Sequence, residues 1–470
     1  MQRLDRLLVA GPRSGAGKTT ITLGLLAGAV GRGRKVQPFK VGPDFIDTGF
    51  HAALTRRPCY NLDGWMMPGE RLPDTFRRAM RRGADLAVVE GMMGLYDGAG
   101  AGESGTASAD VAKRLGLPVI LVLDVFAMAG SAGAAALGYR LYDPDVNVAG
   151  VILNRVVGER HAAACKESLD RAGFRVLGVV PADDALVLPE RHLGLVPAWE
   201  QAGAGKALAA MGRAVAQHLD IDAILALAAS APALADLAAG AGQGNGGAKP
   251  APVAIGLARD EAFGFYYQDT LDALAAAGAA LVPFAPTRDE ELPATLGGLY
   301  LGGGFPEQHL DALEANVALR SEIAHLAAAG MPIYAECGGL MYLCRSIAPE
   351  RGARRAMAGV LDGHVRMGGR QAIAYVDVDV REDTPLAPAG TRLRGHVFHN
   401  SVVERIGEGS RFAYRLAPGP GVRDLDDGWL AGNVLASYTH LPLAAYPELV
   451  ARWLAGCRRF RDRQAAAGGA

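Results

Sequence analysis

Net charge is almost absent: 48 basic against 49 acidic residues leave a formal charge of −1. A chain with no positive excess has no electrostatic footprint for nucleic acid or an anionic membrane, so neither is expected as a partner. Lysine is scarce, seven of the 48 basic residues; coding bias is a sufficient cause, and nothing functional is drawn from it. Cysteine is scarce and scattered. Cys59, Cys165, Cys337, Cys344 and Cys457 are odd in number, widely spaced and form no CxxC, which excludes a disulfide framework and a cysteine zinc site. Long apolar runs are missing from the opening stretch "MQRLDRLLVAGPRSG", where four apolar residues precede a Gly-Pro break. That is too short for a signal segment or a membrane span, and a cytoplasmic location is expected. No internal repeat occurs.

What is present is length and apolar content. The 470 residues are half hydrophobic, as in a soluble globular chain with two domains. Short apolar runs at 4–10, 35–41, 85–91, 118–124, 148–154 and 176–181 alternate with helical stretches such as 18–30, 70–82, 106–115 and 127–141. Strands apolar on both faces, alternating with helices, predict a parallel sheet covered on both sides. Residues 200–240 are Ala-rich and read as helical. Within the Gly-rich stretch "AAGAGQGNGGAKPAP", residues 238–250 are expected to link a domain over 1–237 to a second α/β domain over 251–470. The second series runs through "VAIGLAR", "GAALVPF", "GGLYLGGG" and "MPIYAEC", and strands are expected at "AIAYVDVDV" and "NVLASYTH".

"VAGPRSGAGKTT" joins the first strand to the first helix. It is a Walker-type phosphate loop in which Pro12 stands where the strict pattern has its first glycine. Ser14, Gly15, Gly17, Lys18, Thr19 and Thr20 are the expected ATP contacts. Backbone N–H groups turn toward phosphate oxygens, Lys18 reaches the β- and γ-phosphates, and the Thr19 hydroxyl holds Mg²⁺. Acids follow at predicted strand ends, where ligands bind in open α/β sheets. Glu90 closes "DLAVVEG", Asp44 and Asp47 lie with Lys40 in "KVGPDFIDTGFH", and Asp97 lies in "GLYDG". Asn154 ends "GVILN"; an amide there pairs with an adenine edge or caps a loop, and both readings stay open.

Together "GPRSGAGKTT", "KVGPDFIDTGFH", "NLDGWMM" and "VEGMMGLYDG" resemble the cobyrinic acid a,c-diamide synthases, glutamine-dependent amidotransferases of corrinoid and related tetrapyrrole biosynthesis. The resemblance covers nearly the whole chain outside the linker and tail. The sister cobyric acid synthases look similar at the phosphate loop but carry a different segment at 40–51. The first half also resembles dethiobiotin synthetase. The resemblance implies a P-loop NTPase domain of the dethiobiotin synthetase-like type. It implies Thr19, Asp47 and Glu90 as magnesium ligands. It puts Lys40, Asp44 and Asp97 near the tetrapyrrole carboxylates or the phosphoryl intermediate.

"PIYAECGGLMYL" resembles the strand-to-helix turn of class I glutamine amidotransferases, which have a flavodoxin-like fold. Such a turn exposes the sulfur of Cys337 as a nucleophile and aims it near a helix N-terminus, which lowers the thiol pKa. "LYLGGGFPE" resembles the oxyanion-hole loop, with Gly303 or Gly304 as donor. His440 in "SYTHLP" supplies the base. The usual acid two residues after the histidine is absent, because Pro442 stands there, which leaves a backbone group or another acid to orient the ring. His396 and His399 in "GHVFHNS" lack the further ligands of a metal site; the resemblance implies a structural or substrate-side role.

The expected reaction is carbon–nitrogen ligation. The C-terminal domain frees ammonia from glutamine through a Cys337 thioester. The N-terminal domain uses Mg-ATP to convert the a and c carboxylates of cobyrinate or hydrogenobyrinate to carboxyl phosphates, which ammonia attacks. Expected partners are ATP, L-glutamine and a tetrapyrrole polycarboxylate, with a homodimer left open. The alternatives are amidation of Ni-sirohydrochlorin, a cobyric acid synthase-like activity, and a partition-type ATPase switch. The last carries a lysine five residues before the loop lysine, where this chain has Arg13.

Overall fold

Val36–Val41 and Leu86–Glu90 are buried at every position, the mark of strands covered on both faces. In a computed structural model the described residues are 4–98, 105–186, 190–191, 194–195, 204–234 and 252–468. The chain divides into two compact units, Met1–Gly244 and Asn245–Ala470; the expected linker over 238–250 lies outside the described residues.

The first unit runs β1 (Asp5–Ala10), α1 (Lys18–Gly31), β2 (Val36–Val41), α2 (Ile46–Thr55), β3 (Tyr60–Leu62), α3 (Arg71–Met80), β4 (Leu86–Glu90), α4 (Ser108–Leu115), β5 (Val119–Asp124), α5 (Ser131–Tyr142), β6 (Val148–Val156), α6 (Gly158–Arg171) and β7 (Val176–Pro181). Two-residue strands β8 (Glu190–Arg191) and β9 (Gly194–Leu195) follow, then α7 (Ala204–Ala216) and α8 (Ile221–Ala229). The sheet is parallel in the order β3-β2-β4-β1-β5-β6-β7. One apolar cluster packs around Phe39, Phe76 and Leu121, and another around Leu7, Ile21 and Ile152. α5 starts at Ser131, later than the spacing predicts, because the Asp124 carboxylate accepts from the Phe126 N–H and holds a turn. The Ala-rich stretch breaks where Asp220 caps α8 through the Ala223 N–H.

The second unit runs β10 (Val253–Ala258), β11 (Phe263–Phe265), α9 (Gln268–Ala276), β12 (Ala279–Phe284), β13 (Gly298–Leu301), β14 (Gly303–Gly304), α10 (Leu310–Ala315), α11 (Val317–Ala328), β15 (Ile333–Glu336), α12 (Gly338–Leu343), β16 (Cys344–Ala348), β17 (Arg355–Ala356), β18 (Leu361–Val380), β19 (Arg392–Glu404), β20 (Arg411–Ala417), β21 (Asp426–Ala431), β22 (Val434–Ser437), β23 (Thr439–His440) and α13 (Pro447–Gly468). β12-β10-β13-β15-β22 are parallel. Beyond β22 the sheet turns largely antiparallel through β21, β20 and the long β18–β19 pair. Val376, Val378 and Val380 of β18 are buried while Asp377 and Asp379 are exposed, the alternation of a strand with one solvated face. Among the described residues no helix is long and apolar enough to cross a membrane.

Candidate functional site

In the first unit, Gly17 caps α1 in the left-handed region at φ 93°, and a Cβ there would fall 2.1 Å from Asn154 Nδ2. Glycine is therefore required where the loop enters the helix. Asn154 Nδ2 donates to the Ala16 carbonyl at 3.0 Å; of its two open readings, this is the loop-capping geometry. Ser14 and Gly15 are exposed at the tip, and Thr20 is half-buried in the first turn of α1. Lys18 Nζ donates to the carbonyls of Arg13 at 3.0 Å and Met93 at 2.6 Å. Burial and the nearby charge of Lys40 pull its pKa down to about 8. Arg13 and Arg155 each donate to Asp124 Oδ2 at 2.9 Å, tying the loop's outer shoulder to the ends of β5 and β6.

Lys40 and Glu90 are register neighbours on β2 and β4, so both side chains arrive behind the loop. Lys40 Nζ lies 2.6 Å from Asp47 Oδ2 and 2.8 Å from Glu90 Oε1. The Thr19 hydroxyl donates to Glu90 Oε1 at 2.8 Å and to Asp47 Oδ2 at 3.4 Å. Burial alone would lower the pKa of Lys40, but Asp47 and Glu90 outweigh it and raise the value. Burial and the charge of Asp44 raise that of Asp47. Burial opposes the charge of Glu90, yet Lys40 and His51 hold it below the usual carboxylate range. His51 Nε2 lies 2.7 Å from Glu90 Oε2, with both side chains fully buried. His51 was not singled out in the sequence; its signal is the four-residue spacing from Asp47 on α2, which puts both on one helix face.

The other two acids serve the backbone. Asp44 Oδ1 accepts from the N–H groups of Ile46 and Asp47 at 2.9 Å each, where α2 begins. Asp97 Oδ2 accepts from the Gly94 N–H at 2.9 Å. Among the described residues no three His, Cys, Asp or Glu side chains group as metal ligands. Two carboxylates and one hydroxyl converge instead. That donor set suits a magnesium ion, which keeps several waters and takes phosphate oxygens. The Lys40 ammonium bridging the same carboxylates marks the place as one built for positive charge.

In the second unit, β15 ends at Glu336 and α12 begins at Gly338, so Cys337 alone makes the turn. Its backbone has φ 48° and ψ −100°, a conformation that a side-chain-bearing residue occupies only when its surroundings enforce it. Hydrogen bonds fix both ends: the Cys337 N–H donates to Ser437 at 2.7 Å, and Met341 donates to the Cys337 carbonyl at 3.0 Å. The Gly303–Gly304 loop abuts the turn. A Cβ on Gly338 would lie 3.0 Å from Gly304 N, and a Cβ on Gly303 would lie 2.7 Å from His440 Cε1.

β22 and β23 carry His440 beside Cys337, whose thiol donates to the Phe398 carbonyl at 3.6 Å. His440 Nδ1 lies 3.5 Å from Glu336 Oε2. Burial alone would lower the imidazole's pKa; the contacts with Cys337 and Glu336 outweigh it and push it up to about 9. His396 stacks on the His440 ring at 4.9 Å between centroids, and its Nδ1 is bonded to the Tyr267 hydroxyl at 2.8 Å. Burial and the charge of His440 push His396 well below its ordinary pKa. His399 stacks on Tyr438 with ring centroids 3.8 Å apart, and its Nδ1 meets the Ser401 carbonyl at 2.9 Å. A thiol on a strained turn, beside an imidazole backed by a carboxylate, has the parts of an activated nucleophile.

Residues 7–196 match the CobQ/CobB/MinD/ParA nucleotide binding domain, and residues 254–447 match the CobB/CobQ-like glutamine amidotransferase domain. The expected pairing of a P-loop domain with a glutamine amidotransferase domain is thereby borne out. The chain is 40% identical to a cobyrinate a,c-diamide synthase of Methanosarcina barkeri, covering 98% of each chain. It is 44% identical to one of Syntrophotalea carbinolica, covering 96% of this chain and 98% of the relative. It is 42% identical to a hydrogenobyrinate a,c-diamide synthase of Streptomyces coelicolor, covering 97% and 98%. With two sites of this geometry and relatives aligned over almost its whole length, the chain belongs to the cobyrinate and hydrogenobyrinate a,c-diamide synthase family.

Proposed function

We propose that this protein converts the a and c carboxylates of cobyrinate or hydrogenobyrinate to amides, using ATP and glutamine. The observation that carries this reading is the alignment, nearly end to end, with relatives of that name. In the second unit the Cys337 thiolate attacks the glutamine side-chain carbonyl, and His440 gives its proton to the departing ammonia. The resulting thioester is hydrolysed to glutamate, and backbone N–H groups of the Gly303–Gly304 loop stabilise the oxyanion of each tetrahedral intermediate.

A carboxylate is a poor electrophile, because its charge is delocalised and oxide is a poor leaving group. In the first unit the carboxylate oxygen therefore attacks the γ-phosphorus of ATP, ADP leaves, and a carboxyl phosphate forms. Ammonia adds to that carbon, phosphate departs, and the amide remains. Lys18 and Lys40 offset charge on the phosphates, while the Gly15–Gly17 turn cradles them. Thr19, Asp47 and Glu90 would hold Mg²⁺, which supplies charge neutralisation at the phosphates. Lys40 would then move from bridging the two carboxylates to contact the transferred group. Asp44 and Asp97 keep α2 and the 91–97 loop in place around it. The test incubates the protein with Mg-ATP, glutamine and either cobyrinate, hydrogenobyrinate or Ni-sirohydrochlorin, and counts amides by mass. Two amides on a corrinoid are expected; amidation of Ni-sirohydrochlorin alone would overturn the assignment of substrate.

A further inference from the structure

In class I glutamine amidotransferases the acid that orients the base follows the histidine by two residues, and here that position is Pro442, which has no carboxylate. We infer that Glu336, on the strand immediately before the nucleophile, is the positioning acid of His440. The inference rests on the reading of Cys337 and His440 as a glutaminase pair.

Glu336 is 1% exposed, and both of its oxygens are engaged. Oε1 accepts from the Tyr334 hydroxyl at 2.6 Å and from the Leu441 N–H at 3.0 Å. Oε2 accepts from the Tyr300 hydroxyl at 3.0 Å and faces His440 Nδ1 at 3.5 Å. One carboxylate thus lies beside the ring of His440 and accepts from the backbone of the next residue. The two strands involved are parallel neighbours, with Glu336 opposite Ser437. The acid ends β15 and the nucleophile follows it, while the base lies three residues beyond Ser437 on β23, which pairs with β19 through His396 opposite His440. Three neutral donors hold the carboxylate in place, and among these contacts the imidazole is the one group that can become a cation.

A second buried acid, Asp427, cannot take this part. Asp427 accepts from the N–H groups of Tyr438 and Thr439 at 3.0 Å each and from the Thr439 hydroxyl at 2.6 Å. It shapes the chain leading to His440 rather than the ring. His396 lies flat on the ring and, held neutral, adds no negative charge. Glu336 opposite Nδ1 fixes the tautomer with Nδ1–H, which leaves Nε2 to exchange a proton with the thiol.

Titratable groups facing His440 include Cys337, Glu336, His396 and His399, and of these Glu336 is the carboxylate, so removing its charge makes the imidazolium easier to deprotonate. The experiment measures glutamine hydrolysis against pH in the full chain for the wild type, Glu336→Gln, Glu336→Asp and Cys337→Ala, each checked for folding by thermal melting. Glu336→Gln should lower kcat about 10²-fold, less than the roughly 10⁴-fold loss seen where a triad acid is tightly bonded. It should also move the basic limb of kcat/KM about one pH unit lower. Glu336→Asp retreats by one methylene but keeps the charge, so it should be slower while keeping the limb near its wild-type position. A merely structural role would reduce the active fraction without moving the limb. An unmoved limb with kcat within about twofold of wild type in Glu336→Gln would overturn the inference. So would an equal displacement of the limb in the Asp and Gln variants. Hydrolysis retained in Cys337→Ala would instead overturn the glutaminase reading beneath it.

Discussion

The tightest constraints sit on single residues. Gly303 leaves room for the His440 ring, because a Cβ there would fall 2.7 Å from Cε1. Gly303→Ala should therefore displace the base and lower kcat/KM for glutamine about 10²-fold, as misplacement by about 1 Å does elsewhere; steady-state glutaminase kinetics check this. His440 also couples stability to pH. Its folded pKa, about 9, lies above its ordinary 6.5. The protonated ring is therefore bound more tightly in the folded state, and its contribution is present in full below pH 6.5 and lost as pH rises through about 9. Denaturant unfolding should show a fall in stability over that window that His440→Gln lacks. Cys337 and Lys18 were legible in the sequence because glycines crowd around each. Glu336 and His51 were not read as site residues, because the sheet register and the helix turn that give them partners are products of folding.

At the level of elements, α2 delivers both Asp47 and His51 to Glu90 and depends on Asp44 for its start. Asp44→Ala removes an acceptor of two backbone N–H groups and should cost about 1 kcal/mol. Because Asp47 lies on the freed turn, KM for Mg-ATP should rise as well; urea unfolding and ATP kinetics separate the two effects. The parallel strands of the first unit were legible because apolar runs such as Leu86–Val89 and Val119–Leu123 fill them between helical stretches. The antiparallel half of the second unit was less so. "AIAYVDVDV" read as a strand of nine residues, whereas β18 spans Leu361–Val380. Its N-terminal part, "LDGHVRMGGRQ", mixes glycines with charge and is held by pairing to β16 and β19 rather than by its own propensity.

Across the whole molecule, each unit has its own apolar clusters: Phe39, Phe76 and Ile152 are among the core residues of the first, and Tyr300, Tyr334 and Trp453 of the second. Scanning calorimetry should depart from a single two-state transition. Mg-ATP at about one hundred times its Kd should stabilise the first unit by about 2.7 kcal/mol and raise its transition. The division of labour itself, ammonia made in one unit and carboxylate activated in the other, is tested most directly with Cys337→Ala. Amide formation on the corrinoid would be measured with glutamine and, separately, with ammonium as nitrogen donor. The account predicts that synthesis from glutamine disappears while synthesis from ammonia persists near the wild-type rate. Loss of both activities in a folded variant, or survival of the glutamine-driven one, would contradict it.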